Sequence, residues 1–184
     1  MRRDMISIAP LVSSFLSCPK DIETLIVKLF VESRPYSDVL KKLLVVQERD
    51  CLDNKEYDEI VKAYSISKLM DEGYISISPK ISRREHEEIK SYIVITFDDF
   101  SPNAIDPTFR DCTVYFDIVC YNDSWDLTNY RVRPLMIAGY IDGILNSISN
   151  DNRISWQNRG NNSNIKLSGM GEYAFLGCNL VVLN

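Results

Sequence analysis

The side chains with the most potential for chemistry in this chain are aspartates around one apolar run. Asp98 and Asp99 directly follow the strand-like residues 93–97, a position where catalytic carboxylates often lie, and more acids follow at Asp106, Asp111, Asp123 and Asp126. Carboxylate oxygens of this kind could bind a divalent cation. The run Asp-Asp-Phe-Ser-Pro-Asn is also typical of a turn, because Asp and Asn side chains bond to their own backbone. Since the sequence has no Asp-x-Asp-x-Asp-Gly pattern, the turn is favoured.

Other catalytic constellations have little support. His86 is the only histidine and lies in a charged stretch, which excludes any site that needs two histidines. A nucleophilic Cys–His pair is disfavoured, because the cysteines are expected to be buried and His86 exposed. Gly169 and Gly171 lack the P-loop lysine and the dinucleotide-binding spacing. We therefore expect no catalytic, cofactor-binding or metal-binding residues, and no enzymatic activity.

Three arginines and a tryptophan are more informative about contacts. Arg110, Arg131 and Arg133 are three of only six basic residues in residues 92–184. Such arginines can hold loops through bidentate pairs with carboxylates, within one subunit or across subunits, and a phosphate or DNA role is the third choice. Trp125 lies in a polar stretch, where it either covers the local core or anchors an interface.

Composition limits the class of protein. The 184 residues are 45% hydrophobic and carry a net charge of −5, which is ordinary for a soluble globular chain. An acidic chain is a poor general binder of nucleic acid, because phosphate affinity needs clustered Lys and Arg. Residues 1–91 carry a net charge of −1 and residues 92–184 carry −4. The acidic character therefore belongs to the second half.

The five cysteines favour a reducing compartment. Their number is odd and none are spaced as Cys-x-x-Cys, so buried free thiols are expected rather than a disulfide framework. No apolar run approaches the roughly 18–20 residues that span a bilayer. Residues 6–16 faintly resemble a signal peptide, but Asp4, Pro10 and the lack of a clean cleavage site argue against one.

Hydrophobic periodicity predicts helices in the first part of the chain. Residues 21–32 carry one apolar stripe, with Asp21 as the expected cap. Ser37 or Asp38 is expected to cap a second helix after Pro35. Asp53 and Glu56 have capping-box spacing before a third helix, which is predicted to begin near Tyr57 and to extend as far as Met70, with Gly73 as its stop. The charged residues 80–91 are expected to form a solvated loop, a short helix or an arm that orders against a neighbour.

The period changes to that of strands later in the chain. Residues 74–78 alternate as a short exposed strand, residues 93–97 form a strand, and residues 112–121 alternate cleanly, as in an antiparallel sheet with one covered face. Arg133 and Pro134 open a helix. Residues 158–164 are expected to be a loop tip and residues 173–183 the last strand.

These patterns predict an α+β fold, with N-terminal helices followed by a mostly antiparallel sheet and a helix packed on one of its faces. Residues 1–91 form the helical part, with a linker or arm at 80–91, and residues 92–184 form the sheet part. The two parts are expected to make one compact unit.

Residues 92–146 resemble phage virion proteins of the neck, in particular small tail-terminator or head–tail connector proteins. The resemblance rests on short segments within residues 95–139: ITFDDFSPN, FRD, FDIVC, Trp125, Arg133-Pro134 and IAG. It implies a non-enzymatic protein that assembles as a closed ring between portal and tail, lines a channel through which DNA passes without sequence-specific binding, and resides in the virion after assembly in the host cytoplasm. The helical first half is larger than a minimal terminator needs.

Long loops support contact surfaces on such a ring, because long ordered loops usually have a partner. In a heterologous ring each subunit uses two different faces, which we place at residues 98–111 and 122–133. The candidate interface residues are Asp98, Asp99, Phe100, Phe109, Arg110, Trp125, Tyr130, Arg131 and Arg133. Two alternatives stay open: a metal-dependent enzyme that uses Asp98 and Asp99, and a monomeric adaptor or regulatory domain.

Overall fold

The computed structural model describes residues 18–77, 90–102, 110–146, 155–156, 166–170 and 173–183. Within these ranges the chain forms five α-helices and one six-stranded sheet. The helices precede most of the sheet, and one helix lies late in the chain, so the predicted α+β class is confirmed. The predictions for residues 1–17, most of the charged stretch, and residues 158–164 lie outside the described residues.

The helical part contains four helices and one π-helical turn. Helix α1 spans Cys18–Val27 and continues into the π-helical turn Lys28–Glu32. Helix α2 spans Tyr36–Val45, α3 spans Tyr57–Lys62 and α4 spans Ile66–Asp71. The apolar stripes of the first two helices are buried as predicted, at Leu25, Ile26, Leu29, Phe30, Leu40, Leu43 and Leu44.

The predicted helix caps are wrong at three places. Helix α1 begins at Cys18, so Asp21 lies inside it. Helix α2 follows Pro35, and Ser37 and Asp38 both lie within its first turn. Before α3 no side chain caps the helix, and Asp53 instead bonds to a distant loop. Capping depends on which partner a polar side chain reaches in the fold, and spacing alone does not determine that.

The third predicted helix is divided in two. Helix α3 ends at Lys62, and Ser65 starts α4 by accepting a hydrogen bond from the Lys68 amide at 3.2 Å. Such a bond satisfies one of the free amides at a helix start. The predicted stop is confirmed, because Gly73 has a φ of 73°, a conformation that favours glycine.

The sheet is mostly antiparallel, as predicted. Strand β1 spans Ile75–Ser76, β2 spans Tyr92–Pro102, β3 spans Arg110–Tyr121, β4 spans Ser155–Trp156, β5 spans Lys166–Met170 and β6 spans Tyr173–Leu183. The order is β1-β2-β3-β6-β4, with β5 also paired to β6. Only β1 and β2 pair in parallel among these strands.

Strand β2 corrects the prediction for Asp98 and Asp99. It runs through both residues to Pro102, with a register shift between Asp98 and Ser101. The two aspartates therefore belong to a strand with a bulge, and the predicted turn does not begin after residue 97. Paired backbone on β3 extends the strand, since Asp98 pairs with Thr113.

The main core lies between one face of the sheet and the helices. Val114, Phe116, Ile118 and Cys120 alternate along β3 and are at most 1% exposed, which confirms the predicted inner face. The opposite face also carries a small buried cluster of Tyr92, Val94 and Val119. The prediction of a single covered face is therefore too simple.

Strand β1 and the end of the charged stretch are more buried than predicted. Ile75 is 1% exposed because it packs in the main core cluster, and β1 pairs with β2, so this strand is not an exposed one. Lys90 and Ser91 are also buried. The ammonium of Lys90 donates to the Glu72 carbonyl at 2.9 Å, which satisfies the charged group as the chain enters the sheet.

Helix α5 spans Arg133–Asn146, as the Arg-Pro start predicted. Its inner face is buried at Ile137, Ala138, Ile141, Ile144 and Leu145. It packs against β3, β6 and α2. This placement leaves the loop between β3 and α5 at the edge of the core and exposes the outer face of α5.

Candidate assembly surfaces

The loop between β3 and α5 is a small hairpin. Asp126 and Val132 form an isolated antiparallel bridge, and the Leu127 amide donates to the Arg131 carbonyl at 2.9 Å. The Arg131 amide in turn donates to the Thr128 carbonyl at 3.4 Å. The tip of the hairpin is therefore the four-residue turn 128–131, which we call the Tyr130 turn.

The two central residues of the Tyr130 turn adopt the left-handed conformation. Asn129 has a φ of 59° and a ψ of 36°, and Tyr130 has a φ of 60°. Positive φ at both central positions is the arrangement of a type I′ turn. The side chain of Tyr130 is fully exposed, at 103% of its reference area. The turn therefore presents an aromatic ring to the outside of the subunit.

Asp53 fixes the Tyr130 turn from the helical part of the chain. Its Oδ2 accepts hydrogen bonds from the Thr128 hydroxyl, from Arg131 Nη2 at 2.6 Å and from Asn129 Nδ2 at 3.4 Å. The Thr128 bond and the Arg131 bond hold the pKa of the Asp53 carboxyl below its usual value. A second tie is the Thr128 amide, which donates to the Arg49 carbonyl at 3.0 Å.

Arg133 fastens the base of the same loop. Its side chain is 0% exposed, and its five N–H groups all face backbone carbonyls. Nε donates to Ser124 at 2.6 Å, Nη1 donates to Leu43 at 2.7 Å and Val46 at 2.6 Å, and Nη2 donates to Gln47 at 3.0 Å and Glu48 at 2.9 Å. Burial lowers the pKa of Arg133, while the carbonyls at the end of α2 satisfy its charge.

This geometry corrects the prediction that Arg133 is an interface residue. The side chain has no exposed area, and its donors are all engaged within the subunit. It therefore cannot contact a neighbouring subunit. Arg133 is instead a structural residue that joins the end of α2 to the start of α5. Arg131 is partly exposed, and it pairs with Asp53 within the subunit.

The other predicted interface residues are placed as follows. Trp125 is partly buried, and its carbonyl accepts from the Arg133 amide at 2.8 Å. Trp125, Tyr130 and Arg131 thus belong to one loop, and Arg133 is the first residue of the helix that follows it. Asp98, Asp99 and Phe100 lie in β2, Arg110 begins β3 opposite Pro102, and Phe109 lies outside the described residues. The side chains of the 98–111 surface are not described, so that half of the prediction stays a prediction.

A shallow cavity of about 520 Å³ lies beside the Tyr130 turn. Its wall is formed by residues 126–132, which include the turn, together with Arg49. The cations Arg49 and Arg131 are balanced here by the acids Asp53 and Asp126. The surface around Tyr130 is therefore mixed in charge.

A second uncovered surface lies on the outer side of α5, and we call it the α5 groove. It is a cavity of about 420 Å³ lined by Tyr36, Leu135, Met136, Gly139, Tyr140, Gly143 and Ile144. Tyr36 and Leu135 are 53% and 49% exposed, and the rings of Tyr36 and Tyr140 lie 6.1 Å apart. A Cβ atom added at Gly139 or Gly143 would meet nothing within 4 Å. The glycines therefore leave the floor of the groove open.

Sequence reasoning missed the α5 groove and the contact between Asp53 and the Tyr130 turn, since it assigned Asp53 to a helix cap. Asp53 lies 75 residues before Thr128, so nothing local links them. The groove had a local signal, because Leu135, Gly139 and Gly143 recur every four residues on one side of a helix. The same helix also carries a buried apolar stripe. Because burial against the core accounted for its apolar residues, no exposed apolar face was predicted.

The cysteines agree with the expected free thiols at the two positions described. Cys51 and Cys120 are unpaired and buried, and burial raises the pKa of Cys120 to about 11. Among the residues with described side chains, no group of three or more His, Cys, Asp or Glu lies close enough to hold a metal ion. Within those same ranges, no helix has the length and apolar character needed to cross a membrane.

The comparison with protein families decides the relationship of this chain. A family model named YomW matches residues 37–179, from helix α2 into strand β6. The chain belongs to the YomW family. This family is associated with bacteriophage, which agrees with the phage character of the resemblance seen in residues 92–146. No curated protein and no solved structure matches the chain.

The YomW match covers the Tyr130 turn and most of the α5 groove. Its range contains Asp53 and every residue of the groove except Tyr36, which lies one position before the match begins. The helix α5 side of the groove and the whole turn therefore lie within the part of the chain that carries the family relationship.

Proposed function

We propose that this YomW-family chain is a non-enzymatic structural protein of a phage virion, which assembles as a homo-oligomeric ring in the neck. In this proposal the ring connects the portal or head to the tail and lines the DNA channel. Its partners are further copies of itself and other neck or tail proteins, and no cofactor or membrane is involved. The ring is built in the host cytoplasm and resides in the virion.

The observation that carries the proposal is a pair of separate aromatic surfaces on one subunit. The Tyr130 turn projects from the surface, and the α5 groove is concave. Five large hydrophobic residues are exposed among those described, and three of them, Tyr36, Tyr130 and Leu135, belong to these two surfaces. A heterologous contact joins two different faces of identical subunits, and it closes into a ring when the rotation between subunits permits.

The charge of the chain supports passage of DNA without tight binding. A net charge of −5 gives little affinity for phosphates, which bind through clustered Lys and Arg. A channel wall with an excess of acidic groups does not retain the duplex as it moves. The phage association of the YomW family supports the setting.

Labelling of intact virions tests the place of the protein. An epitope tag on this chain, detected with gold-conjugated antibody in electron micrographs, is expected at the junction of head and tail. Label confined to the capsid or the tail tip would overturn the neck assignment. Absence of the protein from purified virions would overturn the structural role altogether.

A further inference from the structure

The second central residue of the Tyr130 turn is unusual for its conformation. Type I′ turns need positive φ at both central positions, and Asn-Gly is the preferred pair. Asn129 fits this preference, because asparagine tolerates the left-handed region. Tyr130 occupies the position of the glycine with a φ of 60°. A side chain there is strained, since its Cβ approaches the following carbonyl oxygen.

The subunit gains no packing from this strained tyrosine. Its side chain is 103% exposed, so the ring is not part of the core or of the loop's own packing. Strained residues persist where the surrounding structure fixes them, and they cluster at functional positions. The hydrogen bonds from Thr128, Asn129 and Arg131 to Asp53 supply that fixation.

We infer that Tyr130 is the aromatic anchor of the contact between neighbouring copies of this chain, and that Asp53 positions the turn that presents it. This inference rests on the proposed homo-oligomer. Tyrosine is enriched among residues that dominate binding energy, because it contributes a large rigid surface at a low cost in conformational entropy. A ring already held in place by its turn loses little freedom when it binds.

The surroundings of Tyr130 fit a protein partner better than a polyanion. Arg49 and Arg131 lie beside the turn together with Asp53 and Asp126, and Arg131 is paired with Asp53. Nucleic-acid contacts require an excess of cations, which this surface does not have. A mixed polar rim around one exposed aromatic residue is typical of a contact between proteins.

Replacement of Tyr130 by glycine separates the strain from the contact. Tyr130→Gly relieves the left-handed strain, so the melting temperature is expected to rise by about 2–4 °C. The same variant loses the aromatic anchor, so the equilibrium constant for assembly is expected to fall at least about thirtyfold. Melting is measured at a dilution at which the wild type is monomeric, because assembly itself raises the melting temperature. Assembly is measured by sedimentation velocity over a concentration series.

Two control variants complete the test. Tyr130→Phe retains the aromatic ring and is expected to assemble like the wild type. Ile60→Ala removes an apolar side chain that is 47% exposed and lies outside both surfaces, and it is expected to preserve assembly within a few-fold. A Tyr130→Gly chain that assembles as tightly as the wild type would overturn the anchor while leaving the oligomer intact. A wild-type chain that never assembles would overturn both the oligomer and the anchor.

Discussion

Arg133 is a buried charged residue that links two segments of the fold. Its guanidinium donates to five backbone carbonyls. The acceptors come from the end of α2, the segment after it and the start of the loop that follows β3. One side chain thereby fixes the relative position of the helical part and of the loop that carries Tyr130.

Replacement of Arg133 by lysine tests this role. Lysine has three donors, so at least two buried carbonyls lose their partner, and each loss costs about 1–3 kcal/mol. We expect Arg133→Lys to lower the free energy of unfolding by at least about 2 kcal/mol, measured by urea denaturation. The matched control Arg131→Lys changes a partly exposed ion pair and is expected to cost less than about 1 kcal/mol. An equal decrease in the free energy of unfolding for the two variants would contradict the role of Arg133 as a buried structural link.

Asp53 links the Tyr130 turn to pH. Hydrogen bonds from Thr128 and Arg131 depress the pKa of its carboxyl, so the stabilising contact is fully present above the ordinary aspartate pKa of 3.8 and is lost as pH falls through the folded-state pKa. We expect a ¹³C NMR titration of the Asp53 carboxyl to have its midpoint below 3.8. Thr128→Ala is expected to raise that midpoint. A midpoint at the ordinary value, unchanged in Thr128→Ala, would show that the contact does not form in solution.

At the scale of elements, strong periodic patterns were sufficient for prediction. The stripe of α1 and the alternation of β3 each record which face is buried, and the Arg-Pro start of α5 records the preference of proline for the first helical turn. All three are patterns of residues close together in the sequence. Boundaries that depend on distant contacts were not predictable in this way. Strand β2 continues past Asp98 because β3 pairs with it, and Asp53 does not cap α3 because Arg131 and Thr128 engage it.

For the candidate surfaces too, local sequence signals pointed to some residues, and long-range contacts hid the role of others. Trp125, Tyr130 and Arg131 were predicted as contact residues because aromatic and basic side chains in a polar loop are locally visible. The interior position of Arg133 was not, since its five acceptors include four carbonyls that lie more than 80 positions away in sequence. The backbone conformation of Tyr130 was also hidden, because an Asn-Tyr pair gives no signal for a type I′ turn.

The α5 groove gives an element-scale prediction with a built-in control. Gly139 is exposed in a helix and has open space where a Cβ would lie. Gly139→Ala is therefore expected to stabilise the subunit by about 0.5–1 kcal/mol without filling the groove. Gly139→Leu also favours the helix but occupies the groove floor, so we expect it to weaken assembly. Both are measured by urea denaturation and sedimentation velocity, and unimpaired assembly of Gly139→Leu would remove the groove from the interface.

At the scale of the whole molecule, one core joins the helices to the sheet, and both candidate surfaces are built on that core. The main core cluster takes side chains from α1, α2, α3, α4, the sheet and α5, so the helices and the sheet support each other. Arg133 and Asp53 then fix the loop at the boundary between them. The first half of the chain contributes Tyr36 of helix α2 to the α5 groove and Asp53, from the segment between α2 and α3, to the Tyr130 turn, which gives the larger first half a place in the proposed ring.

The oligomeric state of the purified full-length chain tests the central claim most directly. Negative-stain electron microscopy at micromolar concentration, alone and after mixing with the portal protein of the same phage, is expected to show closed rings with a central channel. Rings in either sample would support assembly through two different faces of the subunit. Single subunits in both samples, at every concentration up to the solubility limit, would contradict the account.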